Sequence, residues 1–308
     1  MRGADRLRPV AGDLALRVAQ RLNRRRYVEV TPHRPHQLAL DYPTAARNEP
    51  RWGYGRPPHG RLAEIIGRHR DAYGDALRML AGYHDDLLAI GRLPGDPTEP
   101  HWLSAWLLGL DGVSLYGLIR DRAPARYVEV GSGNSTRFVA RARRDGGLAT
   151  HITSIDPHPR VEVDAICDRI LRAPLEEIDP SVFGDLRAGD MLFVDNSHRV
   201  FMNSDVVTFF LEILPALRPG VLVGIHDILW PDDYLPEWAE YYFSEQYLFG
   251  ALLLGEPAWI EPLLACNFAA ADPELRTILE PLWRAPGMQD VDPRGFCFWM
   301  TIAERSRR

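Results

Sequence analysis

From Tyr127 onward, short unbroken apolar runs alternate with longer stretches in which apolar residues recur at helical spacing. The short runs predict strands, and the stretches between most of them predict helices. Unbroken apolar runs are typical of strands buried on both faces, and helical crossovers between such strands produce a parallel sheet. The predicted strands are Tyr127–Val130, Ile152–Ile155, Arg169–Leu171, Met191–Val194 and Val221–Ile225, and the clearest helical stretches are Phe138–Arg144 and Val206–Leu217.

The last part of the chain adds two predicted strands, Leu263–Phe268 and Phe296–Ile302, on either side of a helix-like stretch, Pro273–Trp283. Runs of strands alternating with helices favour the α/β class. Residues 101–308 are therefore interpreted as one α/β domain with helices on both faces of its sheet.

Residues 1–100 differ, because proline-rich clusters at Pro32–His36 and Leu93–Pro97 interrupt any long element. Helical spacing appears between them, from Leu62 to Leu88, and a further helical pattern begins at Leu103. We interpret residues 1–100 as an N-terminal cap, helical in part and otherwise irregular.

The first 34 residues carry nine arginines, and the stretch Leu14–Leu22 is weakly amphipathic. We predict a solvated terminal helix there, with contact to an anionic membrane surface as the alternative. No apolar stretch is long enough to span a membrane, and no apolar signal core is visible. The expected location is the cytoplasm.

Composition narrows the classes of function. The chain is 46% hydrophobic and 25% charged with a formal net charge of -6, which argues against wholesale nucleic-acid binding and favours catalysis on a small molecule. All basic residues are arginine, so mechanisms that require a catalytic or phosphate-binding lysine are excluded. The three cysteines form no Cys-x-x-Cys pair, so neither a disulfide framework nor a structural zinc site is indicated.

A glycine turn, Gly131-Ser132-Gly133, follows the first predicted strand and precedes a helix. Such a turn brings backbone close to a ligand, at a helix start whose N–H groups are unpaired. A dinucleotide fingerprint would place a third glycine where Thr136 stands, and it needs no acid at Glu129.

An acid two residues before the first glycine resembles motif I of the class I S-adenosylmethionine (SAM) dependent methyltransferases. The resemblance implies a Rossmann-like, mostly parallel seven-stranded sheet whose final strand inserts antiparallel. It also implies that the glycine loop holds the methionine part of SAM, with Glu129 at its ammonium group or framing the loop. Asn134 and Ser135, both good helix N-caps, replace the third glycine of many members, and which of them touches the cofactor stays open. The cofactor-binding residues implied are Glu129, Gly131, Ser132, Gly133, Asn134, Ser135 and Asp156.

Asp156 closes the second predicted strand, where an acid that accepts hydrogen bonds from ribose hydroxyls is expected. Its structural alternative is a turn initiated beside Pro157. The adenine is expected near Arg172–Leu175, without a single acid to assign.

Two acids follow the next two predicted strands: Asp195 ends one and Asp227 follows the other. Adjacent strands lie about 4.8 Å apart, so both carboxylates are expected in one crevice. Carboxylates this close repel unless a cation or proton joins them, and a hard divalent cation such as Mg²⁺ prefers oxygen ligands.

This arrangement resembles the metal-dependent O-methyltransferases that act on natural-product sugars. By position, the resemblance puts Asp195, His226 and Asp227 on the metal ligands and His198 on the general base. A metal-bound hydroxyl has a lowered pKa, and His198 would take its proton as the oxygen attacks the methyl group. His226 stands where the family has an acid. The carboxylate ligands favour Mg²⁺, which is the expected metal, and because imidazole favours transition metals, a transition-metal ion is the alternative.

We therefore predict a SAM-dependent O-methyltransferase for a small hydroxylated acceptor such as a sugar or natural product. The aromatic stretch Trp230–Phe243 is expected either to line the acceptor pocket or to be the packed face of a lid. The rivals are an NAD(P)-dependent oxidoreductase, a non-haem iron oxygenase using His198, His226 and a carboxylate, and a non-catalytic SAM-binding scaffold. No nucleic-acid partner is expected, and a homo-oligomer is left open.

Overall fold

Seven strands form one sheet: β1 (Arg126–Val130), β2 (His151–Ile155), β3 (Arg169–Leu171), β4 (Met191–Val194), β5 (Leu222–Ile225), β6 (Ile260–Ala265) and β7 (Phe298–Ile302). Their order across the sheet is β3-β2-β1-β4-β5-β7-β6. All neighbouring pairs from β3 to β5 are parallel, and β7 runs antiparallel to both β5 and β6. This confirms the predicted Rossmann-like sheet with an inserted antiparallel strand.

The computed structural model describes residues 49–305, which form one compact unit. The predicted terminal helix Leu14–Leu22 and the cluster Pro32–His36 lie outside the described residues. The helices are α1 (Gly60–Gly67), α2 (Arg70–Ala81), α3 (His84–Leu88), α4 (Gly109–Arg122), α5 (Asn134–Asp145), α6 (Ser181–Gly184), α7 (Asp205–Thr208), α8 (Leu214–Ala216), α9 (Glu245–Leu254), α10 (Cys266–Ala271) and α11 (Glu280–Trp283). A π-helical segment, Phe209–Ile213, joins α7 to α8, and short 3-10 turns occupy Asp164–Ile166, Leu175–Glu177, Pro236–Tyr241 and Leu275–Leu279.

The strand register places the candidate site at one edge of the sheet. Val130 is aligned with Val194, and Val194 is aligned with Ile225, so β1, β4 and β5 end side by side. The strand order reverses between β1 and β4, which is where ligands bind in open α/β sheets. The hydrogen-bonded ladder continues one residue further, because Asp195 N–H donates to Val130 O (2.8 Å) and His226 N–H donates to Val194 O (2.9 Å).

The predicted strand Leu263–Phe268 is wrong at its end, since α10 begins at Cys266 and β6 begins earlier, at Ile260. Pro262 lies within β6. It is tolerated because β6 is an edge strand, where a missing N–H removes no essential ladder bond.

The stretch Leu62–Leu88, predicted to form one or two helices, is helical but is divided into three helices, α1, α2 and α3. Within the compact unit, α2 contacts β6, α4 and the 3-10 turn Leu275–Leu279, while α1 contacts α9. Buried leucine, isoleucine and tyrosine side chains on α1 and α2 join the main hydrophobic core. The domain boundary at residue 100 stays a prediction.

Among residues 49–305, no helix combines the length and apolar character that crossing a membrane requires. The three cysteines are free thiols.

Candidate active site

Backbone contacts fix Gly131, the first residue of the glycine turn after β1. Gly131 has φ +78°, a conformation that favours glycine, and an added Cβ would collide with the carbonyl oxygen of Asp195. Gly131 N–H donates to Ile155 O (2.9 Å), which ties the turn to the end of β2. Only glycine fits between the two strand ends, so the turn and the loop after β4 are in direct contact.

Asp156 fixes the turn from the neighbouring strand. Its Oδ2 accepts the Ser132 N–H (2.8 Å) and its Oδ1 accepts the His158 N–H (2.7 Å). The bond to His158 belongs to the local turn that was predicted beside Pro157. The bond to Ser132 connects Asp156 to the glycine loop. Both carboxylate oxygens keep further lone pairs, as a ribose-binding acid requires.

Glu129 lies beneath the turn and is completely buried. The Thr136 hydroxyl donates to Glu129 and accepts the Gly133 N–H (3.0 Å), so Thr136 links the acid to the start of α5. Burial raises the pKa of Glu129 to about 8, against the opposing effect of the neighbouring Ser135 and Thr136 hydroxyls. Of the two roles predicted for Glu129, the contacts support framing the loop.

Asn134 and Ser135 point to different surroundings. The Asn134 side chain forms two hydrogen bonds with the backbone of His101, accepting its N–H (3.3 Å) and donating to its carbonyl oxygen (2.9 Å). Ser135 is buried and interacts with Glu129. Both side chains therefore stabilise the beginning of α5, while Gly131, Ser132 and Asp156 face the cavity.

One cavity of about 430 Å³ lies at this edge of the sheet. This volume falls in the range of small-molecule sites, roughly 300–1,000 Å³. On one side it is lined by Gly131, Ser132 and Asp156, and on the other by Asp195 and His198. Pro174, Leu175 and Glu176 complete the wall where the adenine was expected.

Asp195, His198 and Asp227 form a cluster beside this cavity. His198 Nε2 lies 3.2 Å from Asp195 Oδ1 and 3.2 Å from Asp227 Oδ2. One donor atom from each of the three residues falls within 4.8 Å of the others, which is close enough to hold a metal ion. The Asp195 side chain is 29% exposed, while those of His198 and Asp227 are 7% and 11% exposed, so Asp195 is the most accessible carboxylate of the cluster.

Backbone conformation marks the same cluster. His198 has φ +58° and Asp227 has φ +56°, both in the left-handed region that non-glycine residues rarely adopt. Such outliers cluster at functional sites, where surrounding structure holds them in place. The Asn196 side chain accepts the His198 N–H (2.9 Å) and supports this turn.

Glu245, at the first position of α9, contacts the ring nitrogen of His198 that does not face the aspartates. Its Oε2 lies 2.9 Å from His198 Nδ1, its Oε1 accepts from Asn196 (2.9 Å), and the side chain is completely buried. Because Nδ1 is taken up by Glu245, Nε2 is the ring nitrogen directed at the two aspartates. Sequence reasoning missed Glu245, because an acid at the first turn of a helix is ordinarily explained by the helix dipole.

His226 lies on the far side of the aspartates. Its Nδ1 is 3.3 Å from Asp195 Oδ1 and 3.3 Å from Asp227 Oδ1, and its Nε2 is 3.4 Å from Asp111 Oδ2. Asp111, on α4, was also missed. Its signal was a charge in the otherwise apolar stretch Leu110–Val113, since a buried charge is rare unless paired.

Burial and neighbouring charges compete over the pKa values in the cluster. Burial by itself lowers the pKa of His198, but Asp227, Asp195 and Glu245 outweigh it and raise that pKa to about 10. Burial by itself raises the pKa of Asp195, but His226 and His198 outweigh it and hold that pKa below its usual range. Burial raises the pKa of Asp227. The cluster thus pairs anionic and cationic groups closely, away from bulk water.

The aromatic stretch after β5 is mostly packed. Tyr234 is buried and packs with Trp238, Phe243 and Phe296, with ring centroids 5.8 Å apart for Tyr234 and Phe243. Phe243 lies 4.7 Å from the His198 ring, so this group supports the histidine. Of the two predicted roles, packing accounts for these rings, while Tyr241 and Tyr242 are exposed.

A family model matches the part of the chain that contains the first five strands of the sheet. Residues 128–228, which span β1 to the end of the Asp227 turn, match the family model described as a methyltransferase domain. A comparison with curated protein sequences gives no match. The match over residues 128–228 and the strand order of the sheet confirm the resemblance to class I SAM-dependent methyltransferases.

Solved structures with similar chains are methyltransferases. The SAH-bound methyltransferase PaMTH1 of Podospora anserina is 16% identical, with 82% of this chain and 100% of that chain covered and a TM-score of 0.40. An O-methyltransferase from Bacillus cereus in complex with SAH is 13% identical, with 80% and 99% covered and a TM-score of 0.37. The MycE methyltransferase of the mycinamycin pathway, in complex with Mg, SAH and mycinamycin VI, is 21% identical, with 44% of this chain and 40% of that chain covered and a TM-score of 0.29. The resemblance to the methyltransferases rests on the strand order and the family match, and not on these similarities.

Proposed function

We propose that the protein is a SAM-dependent methyltransferase that transfers a methyl group to a hydroxyl of a small molecule. One observation carries the proposal: the glycine turn and the candidate base line a single cavity. A cofactor held at Gly131 and Asp156 and a hydroxyl beside His198 would therefore lie in the same cavity, as a direct transfer between them requires.

The residues on the cofactor side fit SAM. Gly131 allows close approach of the backbone, Asp156 offers carboxylate lone pairs, and Glu129 Oε1 is buried without a hydrogen-bond partner. SAM bound there supplies an electrophilic methyl group on a sulfonium sulfur. The role of the chain is to hold the cofactor rigidly and exclude water from the reacting atoms.

The residues on the reaction side fit a divalent cation. Asp195 and Asp227 supply carboxylate oxygens, and His226 offers a nitrogen 3.3 Å from one oxygen of each. A cation there supplies positive charge that lowers the pKa of a bound hydroxyl. It also offsets the carboxylate charges that hold the proton on His198.

His198 is the proposed general base. Glu245 fixes its ring through Nδ1, so Nε2 is the nitrogen available to accept a proton on the side of Asp195. Phe243 packs on the ring and keeps it in that orientation. A positioned base of this kind typically contributes about 10²–10⁴-fold to the rate.

The acceptor is proposed to be a hydroxylated small molecule, such as a sugar or natural product, because the cavity is of small-molecule size and the chain is acidic. Three further proposals rest on the sequence: a cytoplasmic location, a homo-oligomer, and an N-terminal cap formed by residues 1–100.

Calorimetry of the full chain with SAH, and with NAD⁺ and NADP⁺ as controls, tests the cofactor. Binding of SAH alone is expected, and binding of a dinucleotide in place of SAH would overturn the proposal. SAM with a radiolabelled methyl group then tests transfer to a panel of hydroxylated compounds, with matched compounds lacking the hydroxyl as controls.

A further inference from the structure

A buried carboxylate behind His226 is not used by the proposed reaction. Asp111 lies on α4 and is completely buried. Its Oδ1 accepts the N–H groups of Phe296 (2.7 Å) and Cys297 (2.8 Å), while its Oδ2 has no partner within hydrogen-bond geometry. His226 Nε2 lies 3.4 Å from that oxygen and is likewise buried without a hydrogen-bond partner.

The two unpartnered atoms satisfy one another if Nε2 carries a proton that points at Asp111. Leaving either group unpaired in this environment would be unfavourable, because the hydrogen bonds to water that burial removes would not be replaced. With its proton on Nε2, a neutral imidazole presents the Nδ1 lone pair in the opposite direction. That direction leads to Asp195 and Asp227.

The distances from Nδ1 fit coordination of a shared ion. Donor atoms about 2.1 Å from one metal ion lie roughly 3.0–3.4 Å from each other in octahedral or tetrahedral geometry. His226 Nδ1 lies 3.3 Å from Asp195 Oδ1 and 3.3 Å from Asp227 Oδ1. A carboxylate behind the other ring nitrogen is the usual outer partner of a metal-binding histidine, because it fixes both the tautomer and the ring orientation.

We propose that Asp111 is a positioning residue that makes His226 a nitrogen ligand of the cation held by Asp195 and Asp227. The resulting set of one nitrogen and two carboxylates selects a transition-metal ion such as Mn²⁺ or Co²⁺ over Mg²⁺, which prefers oxygen ligands. The inference rests on the cation site of the proposed function, but its tests measure metal binding and need no turnover.

The rival explanation uses the same distances. An imidazolium at His226, protonated on both nitrogens, would form ion pairs with Asp111 on one side and the two aspartates on the other. It would neutralise buried charge and bind no metal. The two explanations differ in what Nδ1 does when a metal ion is added.

The first test is Asp111→Asn. The amide oxygen still accepts from Phe296 and Cys297, but an NH₂ group then faces Nε2, so the Nε2–H tautomer is no longer favoured. Calorimetric titration of the chelator-treated chain with Mn²⁺ is expected to show affinity lowered about 10–100-fold, the usual effect of removing an outer partner. The Mg²⁺ affinity is expected to fall less.

Asp190→Asn is the matched control. Asp190 is equally buried and also accepts backbone N–H groups, from Arg126 and Arg187, but it lies at the start of β4 and contacts none of the cluster residues named above. Its Mn²⁺ affinity is expected to equal that of the parent chain. Equal losses in both variants, in proportion to their loss of thermal stability, would assign Asp111 a purely structural role.

The second test covers the case in which Asp111→Asn does not fold. Pulsed electron spin resonance of bound Mn²⁺ detects a directly coordinated imidazole nitrogen. The nitrogen signal is expected in the parent chain and in His198→Asn, and it is expected to be lost in His226→Asp. That variant is also expected to lower the ratio of Co²⁺ to Mg²⁺ affinity about tenfold, since it replaces nitrogen with oxygen.

An absent nitrogen signal in the parent chain, or one that survives in His226→Asp, would overturn the proposal. A nitrogen signal lost in His198→Asn would instead make His198 the ligand and overturn it as well. Failure of methyl transfer with the nitrogen signal intact would count against the proposed function alone.

Discussion

The cofactor side and the reaction side of the cavity are built by different means. The turn Gly131–Gly133 is fixed by a backbone bond to the end of β2 and by nearby side chains, since Asp156 accepts the Ser132 N–H and Thr136 accepts the Gly133 N–H. The reaction side is made of side chains, and two of its carboxylates, Asp111 and Glu245, come from helices. A loop for a common cofactor needs only local geometry, whereas a set of four acids and two histidines needs many elements to pack correctly.

The two regions also handle buried charge differently. On the cofactor side, Glu129 is the one fully buried acid, and burial raises its pKa to about 8. On the reaction side, each histidine lies between a carboxylate on one ring nitrogen and the aspartate pair on the other. The buried acids of the reaction side are therefore paired with imidazole rings, whereas the cofactor side holds a single buried acid whose pKa is raised.

The largest effect is expected from His198→Asn, which removes the proposed base but leaves the cofactor loop intact. The catalytic constant kcat is expected to fall about 10²–10⁴-fold, while SAH affinity by calorimetry stays unchanged. His151→Asn, at an exposed position that begins β2, is the control. Normal turnover in His198→Asn would show that His198 is not the base and that the reaction side does not depend on it.

A smaller loss of rate is expected from Glu245→Gln, because the variant keeps His198 but no longer fixes its ring through a carboxylate. We expect kcat to fall about tenfold with the KM for the acceptor unchanged, as for loss of an outer carboxylate partner. Glu240→Gln, an exposed acid in the preceding turn, is the control. A change confined to KM would show that Glu245 shapes the acceptor pocket instead.

Asp156→Asn tests the cofactor side alone. It removes a charged acceptor, and hydrogen bonds to charged groups contribute about 1.5–3 kcal/mol, so SAH affinity is expected to fall at least tenfold. Mn²⁺ binding is expected to stay at the parent value, because Asp156 is not part of the metal cluster. Asp164→Asn, an exposed acid in the same connection, is the control. A parallel loss of metal affinity would show that the two regions are coupled.

The smallest effect is expected from Glu129→Gln, and it appears as a change in pH dependence. The folded pKa is about 8 and the ordinary value is 4.5, so the unfolded chain loses this proton first as pH rises. The stabilising effect of the protonated acid is thus present below about pH 4.5 and is lost progressively up to about pH 8.

Glutamine has no such titration, so between pH 5 and pH 8 the parent chain is expected to lose more stability than Glu129→Gln, by on the order of 1–3 kcal/mol. Urea unfolding at both pH values measures the difference. Parallel pH profiles for the two proteins would mean that Glu129 is ionised in the folded state.

Much of the fold followed from the apolar pattern, because strands buried on both faces leave unbroken apolar runs. The five parallel strands were placed to within a residue, and the antiparallel insertion of the last strand came with the family resemblance. The error at Cys266–Phe268 arose because an apolar run does not distinguish the end of an edge strand from the start of a buried helix.

The sequence by itself determined the sheet edge and the residues that stand on it. Gly131, Asp156, Asp195 and Asp227 each follow a strand, and parallel strands bring their carboxyl ends together without help from the rest of the chain. Only the tertiary structure decided what lies behind the two histidines. Glu245 and Asp111 reach the site because α9 and α4 pack into the core, and no local pattern encodes which distant helix will supply a charge to a buried imidazole.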